Sequence, residues 1–449
     1  MQVELNSQLK EYIDIKSSEL MKLLTIEKVF PAEIKESRPP PEYFRHKQVI
    51  HLGEIVGPMD KSQYGFDSKL LFKMRNFSDE KVGYQTNNIK EIHKLTDGIL
   101  KDKKIASLVS YNFIVNNIFE WLVSSYRNKT IDQKLSRFIE LKIEESIIEH
   151  KLFFPVLYLE SNKELNIVNV NFKYITDEFI NELSTSVAAD RREDFIEILK
   201  KYKGTFVANC TVLAEKEKAI TIAIDYVTFA IDIVKITSPT IDYPQLPIHF
   251  DVDFRNIYQV KNEVLIQTFK SKSNFIIDFY RKSQPFEVTE QNWNFLLEKN
   301  LMFINAYSIN TLVKKTELDT LIHYAIQRFA KAISNTYLHE RITQIFSVLE
   351  SLLLPSESSA IIESVCKYLP KILTKDLDER ARIISITKEL YKVRSSMIHH
   401  GQQKEFDMGD LASLQRCTLG LIKMLMQHSL NHKSKQDVLN EIDELIHRA

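Results

Sequence analysis

The sequence predicts an α+β N-terminal region with a mostly antiparallel sheet, followed by an all-α helical bundle. Two observations lead to this class. Alternating or β-rich runs recur between helical stretches as far as about residue 300, and after about residue 310 helical periodicity alone continues. A chain of 449 residues is also too long for a single core. We therefore divide it into a region at 1–310, with a subdivision near residue 150 left open, and a bundle at 315–449.

The N-terminal region is predicted to begin with a helix and an irregular segment over residues 1–37, before three consecutive prolines enforce an extended stretch. The β-rich runs are residues 48–56, 153–160, 166–174, 205–212, 220–236, 248–254, 264–269 and 275–280. Helices are predicted at 106–127, 131–150 and 190–202. This alternation of short elements indicates a sheet packed with helices.

The C-terminal bundle is predicted from apolar residues spaced three and four apart. Its helices are expected at 318–335, 339–354, 358–373, 376–398 and 411–428, with a last one from 434. Asp376 and Glu379 have the spacing of a capping box at the start of the long fourth helix, and Ser434 and Asp437 have it at the start of the last.

Composition excludes several common classes of protein. Lysine and arginine together number 60, as do aspartate and glutamate, so no basic excess indicates unspecific coating of nucleic acid. The nine glycines form neither GxGxxG nor the P-loop pattern, and no HExxH occurs. We therefore expect no cofactor and no metal.

The chain is expected to be cytoplasmic and not to enter a membrane. Its first residues lack the features of a signal peptide. The most apolar stretch, 219–236, is interrupted by Asp225, Asp232 and Lys235, which are costly in a bilayer. The three cysteines, Cys210, Cys366 and Cys417, form no CxxC pair. Their odd number and wide separation fit a reducing compartment.

An arginine and a glutamate stand at the edges of two apolar seams in the bundle. Arg394 follows Leu390 by four residues and so lies about 40° from the centre of its seam. Glu350 follows Phe346 by four residues in the second bundle helix. A partly buried guanidinium needs a carboxylate, and Glu350 is the candidate. From periodicity alone, a structural ion pair that braces two helices explains both residues.

Two histidines, His399 and His400, follow Arg394 at the predicted helix end before Gly401, a C-terminal stop. An imidazole moves protons near neutral pH, and a guanidinium holds a phosphate by paired hydrogen bonds. Together they supply what metal-free RNA cleavage requires. Histidines at a helix C-terminus also interact favourably with the helix dipole, so the spacing alone leaves a structural role open. Adjacent helical residues point about 100° apart, which disfavours zinc binding by this pair.

The segment Leu349-Glu350-Ser351-Leu352-Leu353-Leu354, followed some forty residues later by Tyr391-Lys-Val-Arg394-Ser-Ser-Met-Ile-His399-His-Gly401, resembles the ApeA-like branch of the HEPN superfamily. The resemblance covers roughly residues 315–445. It implies a HEPN-type helical bundle, homodimerisation and metal-independent endoribonuclease activity. It also implies a role in bacterial antiviral defence through RNA cleavage and growth arrest.

Carried over residue by residue, the resemblance makes Arg394 the phosphate-binding residue, His399 the general base or acid, and Glu350 the acidic residue of the neighbouring helix. Many superfamily members have Asn, Asp or His directly after the arginine. This chain has Ser395 there, and in this it agrees with the ApeA-like branch. The doubled histidine leaves His399 and His400 both open, and we prefer His399 from its spacing. Some HEPN domains only dimerise or bind partners, so a non-catalytic module is the alternative. In ApeA-like proteins a region of this kind is regarded as a sensor or regulator, and the resemblance implies the same role for residues 1–310. The RNA that is cut, with tRNA one candidate, and the trigger stay open.

Overall fold

A computed structural model describes residues 4–28, 60–64, 70–77, 80–85, 88–128, 133–185, 187–246, 248–252, 265–268, 286–311, 315–356 and 359–448. Two units are distinguished by their internal packing. The first comprises Met1–His150 and Val212–Thr221, and the second comprises Lys151–Thr211 and Ile222–Ala449. The predicted class is confirmed, because antiparallel sheets and helices precede an all-helical C-terminal region.

The first unit packs helices against a small antiparallel sheet. Its elements are α1 (Ser7–Lys22), β1 (Thr25–Lys28), β2 (Asp60–Tyr64), β3 (Leu70–Asn76), β4 (Glu80–Tyr84), α2 (Ile89–Ile99), α3 (Lys103–Ala106), α4 (Tyr111–Asn128) and α5 (Leu135–Ser146). The strands are ordered β1-β4-β3-β2, and all neighbours are antiparallel. Apolar side chains such as Ile13, Ile92, Phe119 and Ile139 fill the core between the helices.

The second sheet follows in the chain. Its elements and the neighbouring helices are β5 (Ile148–Leu157), β6 (Leu159–Ser161), β7 (Leu165–Ile167), β8 (Val170–Tyr174), α6 (Asp177–Ser184), α7 (Arg192–Lys200), β9 (Phe206–Ala214), α8 (Lys216–Thr237), β10 (Asp251–Val252), β11 (Leu265–Thr268) and β12 (Phe286–Val288). The strand order is β10-β5-β9-β8-β7, and β11 pairs with β5. β12 pairs with β6 in parallel. The predicted runs at 153–160, 166–174 and 205–212 are therefore confirmed as strands.

The predicted strand at 220–236 is wrong, because this stretch lies within α8. Val227, Ile231 and Val234 are all buried, and so are Asp232 and Lys235. Every residue from Phe229 to Thr237 is buried, so this part of the helix shows no amphipathic stripe and its β-branched residues resemble a buried strand. The length of the stretch is the better indication of a helix, since a mainly apolar run of this size, even with its three charged residues, is longer than an ordinary strand.

The C-terminal helices are α9 (Glu290–Glu298), α10 (Leu301–Thr311), α11 (Glu317–Ile333), α12 (Leu338–Leu353), α13 (Ile361–Leu373), α14 (Leu377–His400), α15 (Met408–His428) and α16 (Lys435–Arg448). The six predicted bundle helices are confirmed as α11 to α16, within about three residues at each end. The side chain of Asp376 accepts a hydrogen bond from the Glu379 amide at 2.8 Å. Ser434 and Asp437 each accept from the other's amide. Both predicted N-terminal caps therefore form.

Two predicted strands, 48–56 and 275–280, lie outside the described residues. Within the described ranges, every helix is too short or too polar to cross a bilayer.

Candidate functional site

Arg394 and Glu350 face each other between α14 and α12. Their side chains are 12% and 22% exposed, and Arg394 Nη2 lies 2.6 Å from Glu350 Oε1. The apolar neighbours Phe346 and Leu349 on α12, and Leu390 and Val393 on α14, are buried. The expected position of both charged residues at the edges of their seams is therefore observed, as is the ion pair between them.

This ion pair is close but imperfectly aligned. Within the described residues, Glu350 Oε1 and Arg394 Nε are buried atoms without a hydrogen-bond partner, although the charged groups almost touch. The two groups therefore form an ion pair by distance, while the Nε donor of Arg394 remains without an acceptor. Burial raises the pKa of the Glu350 carboxyl, and the Arg394 charge partly opposes that rise. An unsatisfied buried donor is uncommon and often marks a functional site.

Aromatic rings support the guanidinium. The Arg394 guanidinium carbon lies 5.3 Å from the centroid of the Tyr391 ring. Tyr391 in turn packs edge-on against Phe346, with 5.3 Å between centroids. A cation near an aromatic face is stabilised by the ring quadrupole. Tyr391 therefore restricts where the guanidinium lies, and connects it to the apolar core of α12.

Gly401 ends α14 as the sequence predicted. Its φ of +62° is left-handed, and its amide donates to Met397 O at 3.1 Å. The next amide, that of Gln402, donates to Ser396 O at 3.3 Å. These bonds satisfy carbonyls of the last helical turn. The backbone thus leaves the helix immediately after His400 and fixes where both imidazoles are presented.

His399 and His400 are exposed residues of the last turn of α14, with ring centroids 6.4 Å apart. In an ideal helix, His399 lies about 140° from Arg394 around the axis, and His400 lies about 120° away in the other direction. Neither imidazole makes a hydrogen bond or ion pair with Arg394 in the described chain. The structure therefore unites Arg394 with Glu350, but it does not place either histidine against the guanidinium of the same chain.

A cavity of about 500 Å³ lies beside the end of α14, between the start of α12 and the segment leading into α15. It is lined by Thr336, Tyr337, Leu338, His339, Glu340, Met397, Gln403, Glu405, Phe406 and Met408. Around it, Tyr337 is 73% exposed, Ile398 49% and Met408 40%. Large apolar side chains gathered at the surface indicate an interaction site. Sequence spacing does not reveal this surface, because its residues come from three separate segments.

Arg341 is a polar residue that sequence reasoning missed. It is 1% exposed, and it donates to Asn335 O, to Pro244 O at 2.7 Å and to Gln415 Oε1. Burial lowers the pKa of its guanidinium to about 10. Gln415 also donates to Thr240 O at 2.8 Å. This network connects α12 and α15 to the segment after α8, so Arg341 acts in folding.

Among the described residues, one group of three His, Cys, Asp or Glu side chains has the spacing of metal ligands. It consists of His428, His432 and Glu441, and includes neither His399 nor His400.

In comparisons with known proteins, the chain matches no family model, no curated protein and no solved structure.

Proposed function

We propose that this chain is a metal-independent endoribonuclease of the HEPN type, with Arg394 holding the scissile phosphate and His399 transferring a proton. The observation that carries the proposal is the arrangement at the end of α14. A half-buried guanidinium, whose Nε has no hydrogen-bond partner among the described residues, lies five residues from an exposed imidazole on the same helix. Both chemical groups of the sequence motif therefore lie in the last two turns of α14.

The proposed reaction needs no group from outside the protein and the RNA. An imidazole removes the proton of a 2′-hydroxyl, and the resulting oxygen attacks the adjacent phosphorus. The bond from phosphorus to the 5′-oxygen breaks, and a second acid returns a proton to that oxygen. Arg394 stabilises the charge on the phosphoryl oxygens during the attack. The products are a 2′,3′-cyclic phosphate and a 5′-hydroxyl.

A homodimer would complete this site. Arg394 and the histidines point in different directions from one helix, so a single chain presents them to a substrate poorly. Two copies of α14 that meet near their C-terminal ends would offer Arg394 of one chain and His399 or His400 of the other. The exposed Tyr337, Ile398 and Met408 supply apolar surface at the same end. This surface supports the dimer expected from the HEPN resemblance.

We further propose that the N-terminal region restrains the nuclease until a trigger is sensed, and that RNA cleavage in the bacterial cytoplasm serves antiviral defence. A tRNA anticodon loop is a suitable substrate, because an exposed site reaches unpaired nucleotides with a free 2′-hydroxyl. Cuts that fall mainly in duplex RNA would contradict this substrate class.

The Arg394–Glu350 ion pair favours a second candidate function, a non-catalytic module for dimerisation or partner binding. In that case Arg394 serves only to neutralise Glu350. The 2.6 Å separation supports this reading as strongly as it supports an active site. Only a measurement of cleavage separates the two.

The test is incubation of purified protein with total bacterial RNA in EDTA, followed by analysis of RNA ends. Cleavage should leave 2′,3′-cyclic phosphates, survive chelation, and disappear with Arg394→Ala. Lys392→Ala is the matched control, because Lys392 lies on the same helix and bonds only to the exposed Glu389. No cleavage by a folded wild-type dimer at any concentration, with or without phage infection of the source cells, would favour the binding module.

A further inference from the structure

Three side chains that commonly bind metals meet where α15 turns into α16. His428 is the last residue of α15, His432 follows in the turn, and Glu441 lies on α16. His428 Nδ1 is 3.2 Å from Glu441 Oε2, and His432 Nε2 is 3.0 Å from the same oxygen. The three ligand atoms all lie within 4.8 Å of one another.

The two nitrogen–oxygen separations fit a tetrahedral zinc site. With bonds of about 2.0 to 2.1 Å from zinc to nitrogen and oxygen, neighbouring ligand atoms lie about 3.3 Å apart. Two imidazoles and one carboxylate are also a ligand set that zinc accepts with water in its fourth position. We propose that His428, His432 and Glu441 bind one divalent transition-metal ion of the zinc class.

The turn that carries these ligands is held in place by several backbone bonds. The His432 amide donates to His428 O at 2.9 Å, and the Leu318 amide of α11 donates to Lys433 O at 2.9 Å. Ser434 and Asp437 then cap the start of α16. The two rings, with centroids 5.9 Å apart, thus stand at the end of α15 and on the turn that follows it, and both face Glu441. A bound ion would join α16 to α15.

The same distances also fit hydrogen bonds from two imidazoles to one carboxylate oxygen, and this is the competing explanation. Metal identity separates the two. Two nitrogen ligands favour zinc or cobalt over magnesium and calcium, which prefer oxygen. A hydrogen-bonded cluster has no such preference. The inference does not rest on the proposed RNA cleavage, because its residues are distinct from Arg394, Glu350, His399 and His400.

The experiment titrates chelator-treated, desalted full-length protein with Co²⁺ and follows the visible absorption of the bound ion. We expect one equivalent with the strong absorption of tetrahedral cobalt, displaced by Zn²⁺ and not by Mg²⁺. The double variant His428→Ala/His432→Ala should lose this equivalent, and Glu441→Gln should weaken binding about tenfold or more. The matched control is His399→Ala/His400→Ala, which removes two exposed histidines outside the cluster and should bind as wild type does.

Equal Co²⁺ affinity and spectra in wild type and in the His428→Ala/His432→Ala variant would overturn the proposal. Circular dichroism checks the fold of each variant, and Glu441→Gln, which preserves side-chain size, provides the comparison if the double variant misfolds. X-ray absorption of the zinc-loaded wild type provides a second measurement, the number of imidazole ligands on the ion. Two imidazole ligands are expected, and fewer than two would also overturn the proposal. RNA cleavage plays no part in either measurement, so failure of the nuclease proposal leaves this test intact.

Discussion

Arg394 and Glu350 form a close ion pair between α14 and α12, with 2.6 Å between Nη2 and Oε1, although neither Oε1 nor Arg394 Nε has a hydrogen-bond partner in the described chain. The short distance between the opposite charges favours the folded state. The Nε–H of Arg394, which has no acceptor, is left to donate to an anionic ligand. The contribution of the pair to stability and its proposed contribution to catalysis can be measured separately, because they respond differently to substitution.

Replacing Glu350 with Gln should destabilise the bundle by about 1 to 2 kcal/mol, because the Arg394 guanidinium then lacks its counter-charge. The pair is partly exposed, so the loss should be smaller than for a fully buried pair. Urea unfolding of Glu350→Gln, Arg394→Ala and the double variant measures the coupling between the residues. A coupling free energy near zero would show that the proximity contributes nothing to stability.

Replacement of the two histidines at the end of α14 should affect RNA cleavage differently and leave the stability of the protein nearly unchanged in both cases. Both are exposed, so His399→Ala and His400→Ala should each change the free energy of unfolding by less than about 0.5 kcal/mol. If His399 transfers the proton, its replacement should slow RNA cleavage by about 10²- to 10⁴-fold. His400→Ala should then cleave at nearly the wild-type rate. The reverse pattern would assign the proton transfer to His400, and equal activity of both variants would remove it from the pair.

Arg341 should be necessary for folding and unimportant for RNA. Arg341→Met removes the donors to Asn335 O and Pro244 O, and should cost about 2 to 4 kcal/mol. Thermal or urea unfolding checks this, with the exposed Arg382→Met as control. Arg341→Lys keeps the charge without the planar fork and should fall between wild type and Met. Unchanged stability of Arg341→Met would contradict the structural role.

His323 should make stability depend on pH. It is buried, stacks on Phe229 at 4.6 Å between centroids, and contacts Thr311 Oγ1 at 2.8 Å through Nε2. Burial, aided by the charge of Lys315 and opposed by that of Asp319, lowers the pKa of His323 to about 4. The unfolded imidazole has a pKa of about 6.5 and takes up a proton first. Stability from neutral His323 is therefore present above about pH 6.5, and it is lost as the pH falls towards 4.

The loss attributable to His323 is at most about 3 kcal/mol over this window. Unfolding free energies of wild type and His323→Phe, measured at intervals from pH 7 to pH 4, provide the check. The unfolding free energy of the variant should change less steeply with pH, since the remaining titratable groups are the same in both proteins. Equal slopes would show that His323 accepts a proton in the folded state as easily as in the unfolded state.

The amphipathic helices of the bundle could be predicted because each buries one face. A three-four spacing of apolar residues records that face directly, and it placed α12 and α14 with Glu350 and Arg394 at the edges of their seams. The caps at Asp376 and Ser434 could be predicted for a similar reason, since they depend on residues three positions apart. Sequence spacing is sufficient to predict a contact whenever the two groups lie close together in the chain.

Where burial surrounds an element, the same reasoning fails. The second half of α8, from Phe229 to Thr237, is buried on every side and carries no periodic contrast between faces, and residues 220–236 were predicted as a strand. Its buried Asp232 and Lys235 looked like interruptions in the sequence. In the fold, Lys235 Nζ lies 3.2 Å from Asp251 Oδ2, a partner that sequence spacing does not reveal.

By itself, then, the sequence determined the α+β region, the six bundle helices and the pairing of two seam-edge charges. The tertiary structure alone decided that Arg341 would be enclosed among backbone carbonyls, and that His399 and His400 would not contact Arg394. It also brought Glu441 to the His428–His432 pair, whose four-residue spacing was visible in the sequence without its third member. The physical reason is that periodicity records which face of an element is buried, whereas the group that meets that face comes from a distant part of the chain.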